Sequence, residues 1–289
     1  MNLLALRYFC HVAETESVTA SASQLYISQP ALSKMILQLE RELGTSLFDR
    51  NGRQLTLNRT GKAFYQKVQS ALLQIDDAVA EAEENGKNGH TRIAIAVHAA
   101  SYLFPQIAAG FREEYPDVHF EALLPNSPTE MTMFSNREEL CLFSSPLEPE
   151  NVDRISLLEE RMCLAVSQQE EFSEFPVPVS ALWNRPFVAM KTGTVREILE
   201  GACRKAGFEP IIAFEASDIY TLKMLVEYGM GIARIPETSW KALLSSKVQK
   251  IPLKESITRT LYLGTHPRRY LSEYSRAFIE YCKNFCCTL

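Results

Sequence analysis

The chain has 289 residues, of which 46% are hydrophobic and 22% charged, with a formal net charge of −5. That length suffices for two domains and a sizeable core, and no apolar run approaches the roughly 20 residues a membrane helix requires. A membrane-spanning or disordered chain is excluded on composition, and with no basic and apolar leader at the start the expected location is cytoplasmic.

In chain order, Leu3, Leu6, Phe9, Val12 and Ala13 recur at helical spacing and predict a first helix. A short helix is expected from Ser17 to Leu25, then a tight turn at Tyr26 and Ile27. A further helix follows, with Ser28 as N-cap and Pro30 in its first turn, where a missing N–H costs nothing. It runs through Ile36, Leu39 and Leu43 and stops at Gly44. Asn51-Gly52 is a two-residue hairpin signal between 48–50 and 54–57, with Arg50 and Arg53 flanking the tip. Together these elements make a winged helix-turn-helix, whose second helix opens with small polar side chains and a cation, as suits entry into a DNA major groove. Residues 1–62 hold seven Lys/Arg against five Asp/Glu, a net of +2, which leaves −7 on the remainder. Phosphate attraction must then come from a few placed cations.

From about residue 60 to 84 the pattern reads as one long helix. Phe64, Val68, Ala71, Ile75, Ala78 and Ala82 form a heptad seam, widened by Leu72 and Val79. A helix of about 25 residues spans roughly 37 Å. With no other local core evident, a partner helix from a second subunit is the favoured cover, and a helix lying on its own domain is the alternative. Asn85, Gly86, Lys87, Asn88 and Gly89 read as a linker.

Strands and helices then alternate. Strands are expected at 92–97, 118–124, 139–143, 161–166, 211–215 and 231–235, and helices at 102–115 and 217–228. Ser127–Glu130 and Thr194–Glu197 read as capping boxes that open two more helices. This order predicts an α/β body with a mostly parallel sheet.

For DNA, Gln29 can pair with adenine, Pro30 can touch a thymine methyl, and Ser33 and Lys34 can reach base edges or phosphates. Ser28 serves as a cap, a contact or both. Ser17, Thr19, Arg50 and Arg53 suit phosphates, with capping the plainer role for Ser17. For a small ligand, three loops stand before helix starts, where free N–H groups favour an anion. They are 98–101, 191–194 and 216–219. Ser101, Thr192 and Thr194, with Gly193 and Arg196 nearby, suit a carboxylate; His98, Tyr102, Phe143, Ser217 and Ile219 complete the expected cleft. The plainer reading is that these residues only cap helices, and Asp218 is expected to do so.

Catalysis is not expected: there is no Gly-x-Ser-x-Gly, no phosphate-cradling glycine loop and no His-Glu-x-x-His. Seven cysteines are scattered, and Cys282, Cys286 and Cys287 lack a second ligand pair. Reduced thiols on a terminal helix, with no metal and no cofactor, are the expectation.

In one register the chain carries Leu6, Phe9, Val12, Ala13, Glu14, Ser17, Ala22, Leu25, then Ser28 to Ser33, Leu39, Glu40, Leu43, Gly44, Leu47, Phe48, Arg50, Arg53, Leu57 and Gly61. In this it resembles the LysR-type transcriptional regulators. Phe104-Pro105, Tyr115-Pro116, Ala206-Gly207-Phe208 and Gly229-Met230-Gly231-Ile232 extend the resemblance less specifically across the body. Val18, Ser21, Asn58, Thr60 and the segment 136–143 depart from the family pattern. The resemblance implies a winged helix-turn-helix at 1–59, a linker helix and hinge at 60–90, and an effector domain at 91–289 built like a periplasmic binding protein. Its first subdomain would comprise about 91–160 plus 265–289, and its second about 161–264. It also implies a regulator that binds double-stranded DNA and a small organic acid or related metabolite. Self-assembly into a homodimer or homotetramer would run through the linker helix and regulatory domain, and no membrane is involved. The competing reading is a small-molecule binding protein whose helical head makes protein contacts only.

Overall fold

The computed structural model describes residues 2–51, 54–84, 92–123, 138–146, 152–241, 244–267 and 269–289. It divides into two units, Met1–Glu83 and Glu84–Leu289.

In the first unit, α1 (Leu3–Thr15), α2 (Val18–Gln24) and α3 (Gln29–Leu43) enclose a core of Phe9, Val12, Ala22, Leu32, Ile36, Leu39, Leu47 and Phe48, all buried. Their periodic apolar positions face one another because each helix carries one apolar stripe. Ser21, where the family favours alanine, is buried and shares a 2.5 Å hydroxyl contact with Thr15. Strands β1 (Phe48–Asn51) and β2 (Gln54–Leu57) pair antiparallel with Asn51 opposite Gln54, so the ladder takes in Asn51, which was expected in the turn. The Glu40 carboxylate accepts the Leu47 N–H at 2.7 Å and ties the wing to α3.

Helix α4 (Arg59–Glu84) opens on Asn58, whose Oδ1 accepts the Gly61 N–H at 2.8 Å while its Nδ2 donates to the Ser46 carbonyl. A Cβ at Gly61 would lie 2.0 Å from the Leu47 carbonyl oxygen, so the close approach requires glycine. The expectation that this helix lacks a local core is corrected. Phe64, Tyr65, Val68 and Leu72 pack on the Phe9 cluster, and Arg7 of α1 pairs with Asp76. Beyond Leu72 the seam surfaces, with Ile75 41% and Val79 51% exposed.

The second unit contains β3 (Arg92–Val97), α5 (Phe104–Glu114), β4 (His119–Leu123), β5 (Leu140–Ser144), β6 (Asp153–Ser167), β7 (Pro186–Met190), α6 (Thr194–Lys205), β8 (Ile211–Ala216), α7 (Ile219–Glu227), β9 (Ala233–Pro236), β10 (Val248–Ile251), β11 (Thr258–Thr265) and α8 (Glu273–Cys287). The helix expected after Ser127 lies outside the described residues. Strands β4, β3 and β5 are parallel, and β11 and β6 extend them antiparallel. The 15-residue β6 belongs to two half-sheets. Its first part, to Arg161, pairs with β11, and its last part, from Met162, pairs with β9 and β10. Beside β9, a Phe187–Ile232 bridge joins β7, and β7 and β8 run parallel. Strand β11 pairs with β5 from Leu261 to Thr265 and with β6 from Thr258 onward.

Each half has its own core. Ile93, Ile95, Ile107, Phe111, Leu263 and Phe278 fill the first; Val188, Leu222, Val226 and Ile235 lie on one face of the second and Leu164, Leu182, Phe187 and Leu199 on the other. All seven cysteines are free thiols, six buried, with Cys287 exposed at the end of α8. Among the described residues no helix is long and apolar enough to cross a membrane, and no three His, Cys, Asp or Glu residues are grouped to hold a metal.

Candidate functional site

Helix α3 is two-sided. Leu32, Ile36 and Leu39 point into the core, while Gln29, Pro30, Ala31 and Lys34 are exposed and Ser33 is half-buried. Gln29 Nε2 donates to Ser33 Oγ at 3.0 Å, which orders one edge of the exposed row. Ser28 occupies the N-cap position but makes no capping bond, and its side chain is exposed. Ser17 does cap: its Oγ accepts the Ala20 N–H at 3.2 Å, and Thr19 beside it is exposed. Arg50 lies on β1, Arg53 falls outside the described residues, and the wing cations therefore stand on the sequence reading.

In the second unit the carboxyl ends of the parallel strands carry the expected loops. After β3, the His98 and Ala99 N–H groups both donate to the Leu142 carbonyl, at 2.8 and 3.1 Å, which folds the loop over β5. Helix α5 starts two residues later than expected, with Leu103 at its N-cap and no side-chain cap. Ser101 is exposed, and half-buried Tyr102 offers its carbonyl to Gln106.

The second capping box is corrected. Gly193, with φ +98°, holds the N-cap of α6 and leaves the first turn without a side-chain cap. Thr194 instead turns its Oγ1 to Ser144 Oγ at 2.6 Å, joining the end of β5 in the first half to the start of α6 in the second. Thr192 is exposed beside it. Arg196 is engaged within the second half. Its Nε donates to Glu200 at 2.5 Å and its Nη1 to Glu215 at 2.9 Å and to the Met190 carbonyl at 3.3 Å. Asp218 caps α7 as expected, accepting the Thr221 N–H at 2.8 Å. A carboxylate already fills that helix start and would repel an anion. Ser217 is exposed there, and Ile219 packs against the core of the second half.

Of the three helix starts, α5 and α6 both lack a side-chain cap, and that of α6 sits beside hydroxyls from both halves. Phe143 is fully buried and stacks on Tyr262, so it supports β5 from beneath. Ser144 was not singled out in the sequence; the available signal was a hydroxyl closing a strand of otherwise apolar residues.

Comparison with known proteins covers both units. The family model for the bacterial regulatory helix-turn-helix protein, lysR family, matches residues 3–62, and the model for the LysR substrate binding domain matches residues 84–287. The transcriptional dual regulator GltC of Bacillus subtilis is 31% identical over 293 residues, covering 99% of this chain and 97% of that protein. The crystal structure of HinK, a LysR family transcriptional regulator from Pseudomonas aeruginosa, is similar with a TM-score of 0.59 at 25% identity, covering 100% of this chain and 99% of that one. Full-length CbnR complexed with its target DNA shares the fold, with a TM-score of 0.62 at 18% identity and 98% and 99% coverage.

Proposed function

Since the chain belongs to the LysR family of DNA-binding, effector-responsive transcriptional regulators, and so is not an enzyme, we propose which residues read its operator and which hold its effector. Residues 1–59 form the reading head, 60–90 the linker and hinge, and 91–289 the effector domain. The observation that carries the reading is the polar row on α3, with Gln29 and Lys34 exposed and Ser33 half-buried between them, opposite a row that is entirely core. Gln29 and Pro30 address base edges, Ser28, Ser33 and Lys34 bases or phosphates, and Ser17, Thr19, Arg50 and Arg53 the backbone.

The effector is a small organic acid or related metabolite. Its carboxylate binds the uncapped start of α6, beside the Thr194–Ser144 hydroxyl pair, with His98, Ser101, Tyr102, Thr192 and Gly193 completing the site. A ligand that favours one arrangement of the two halves shifts the population toward it, and DNA binding changes with it. The exposed seam of α4 supports self-association, through that helix and the effector domain. The cytoplasm is the compartment in which such a regulator meets its DNA.

The test is operator binding by the full-length chain. Gln29→Ala and Lys34→Ala are each expected to weaken specific binding by about 1–3 kcal/mol, the range for a good base contact. Wild-type affinity in both variants would remove α3 from the interface.

A further inference from the structure

Tyr26 stands in the turn between α2 and α3 with 96% of its surface exposed and φ at +55°. The left-handed turn ends α2, but neither it nor the exposed ring requires a tyrosine for folding. A bulky side chain adopts the left-handed region reluctantly, and an aromatic ring left in water forgoes its burial. Glycine or asparagine would hold the same turn with less strain. The turn itself is fixed, because the Tyr26 N–H donates to the Ser23 carbonyl at 3.3 Å and the Ile27 N–H to the Ala22 carbonyl at 3.0 Å. The ring is therefore aimed by ordered backbone, three residues before Gln29, on the end of α3 that carries the exposed polar row. Strain kept at such a place points to function.

We propose that Tyr26 is a DNA-backbone contact, its ring lying against a deoxyribose and its hydroxyl donating to a phosphate at the rim of the groove that α3 enters. This rests on the reading of α3 as the recognition helix. A neutral contact of this kind differs from a lysine or arginine contact in a measurable way. It adds affinity without releasing a counterion, whereas each neutralised phosphate contributes about 0.9 to the salt slope.

The experiment uses the full-length chain, a duplex recovered by selection from random DNA, and a scrambled duplex of equal length, titrated over a range of salt. Tyr26→Ala is expected to bind both duplexes about tenfold more weakly, the equivalent of one good hydrogen bond with its packing. Its salt slope should equal that of the wild type, and Tyr26→Phe should recover part of the loss. Tyr26→Gly should melt at a higher temperature than the wild type while binding weakly, which separates the contact from a folding defect. Unaltered binding by Tyr26→Ala overturns the contact alone. So does a loss confined to the selected duplex, which would make Tyr26 a base reader. A wild-type chain that selects no duplex overturns the recognition-helix reading and the contact with it.

Discussion

Arg234 lies on β9 with 3% of its surface exposed, and its Nε and Nη2 have no hydrogen-bond partner among the described residues. Burial pulls its pKa down to about 10, against the pull of Cys203 and Glu255. A guanidinium held this way costs stability, because desolvation is not offset by pairing. Arg234→Met should therefore stabilise the chain by about 1–3 kcal/mol in urea denaturation. A destabilised variant would show that the charge has a partner in solution. The thiols carry a second prediction at this scale. Burial pushes Cys10 and Cys141 up to about 12 and Cys286 up to about 11, so these thiols stay protonated and shielded at neutral pH. Under native conditions a thiol reagent should titrate one fast group, Cys287, and seven after denaturation; several fast thiols would contradict the burial of the other six. The two candidate caps show how far single residues were legible. Ser17 and Ser28 have the same position relative to a helix, yet Ser17 bonds its helix and Ser28 leaves its hydroxyl outward. Backbone geometry at the cap decides that, and composition does not encode it.

At the scale of elements, α4 answers to two environments. Its first turns are held by the Phe9 cluster, and its seam beyond Leu72 is open. Val79→Glu should leave helix content intact and shift the chain to a smaller species in sedimentation, since a charge at a seam position opposes helix pairing. An unchanged sedimentation coefficient would place self-association elsewhere. Helices and their starts were legible because apolar residues recur with one period and glycine or proline marks the ends, as at Pro30 and Gly44. The strands were less so. The first half of β6 carries Asp153, Arg154, Glu159 and Glu160, and only its second half reads as a buried run. Glu160 is buried all the same, because it is paired, and pairing across β11 leaves no trace in local pattern. The strands β7, β10 and β11 escaped for a similar reason: they are short or half-polar, and neighbours distant in sequence stabilise them.

Across the second unit, one polar cluster joins β6 and β11 to the segment after β9. Glu160 and Arg259, side chains 0% and 2% exposed, pair at 2.8 Å, and Glu160 also accepts the Ser239 N–H and hydroxyl at 2.7 and 2.8 Å. Arg259 completes the loop through Ser239 Oγ at 2.7 Å. Every charge here is met, so removing one partner should be far worse than removing both. Arg259→Met is expected to cost about 3–5 kcal/mol, and adding Glu160→Gln should return much of it. Additive losses in that double-mutant cycle would mean the groups act independently. The Ser144–Thr194 contact belongs to this scale too, since it spans the two halves. Thr194→Val should abolish most of the rise in melting temperature produced by a bound acid, while Thr192→Val, on the exposed rim, should reduce it less. What the sequence could not carry was this meeting of β5 with α6, fifty residues apart in the chain.

A 15-residue strand that serves two sheets also has a mechanical consequence. Neither half can rotate without twisting that shared ribbon near Arg161 and Met162, where its ladder changes partners. The ribbon acts as a torsion bar. Small angular excursions about it are the motion such a shared strand favours. Amide exchange should accordingly be quickest at that changeover and slow on either side of it, in the empty and the liganded chain alike.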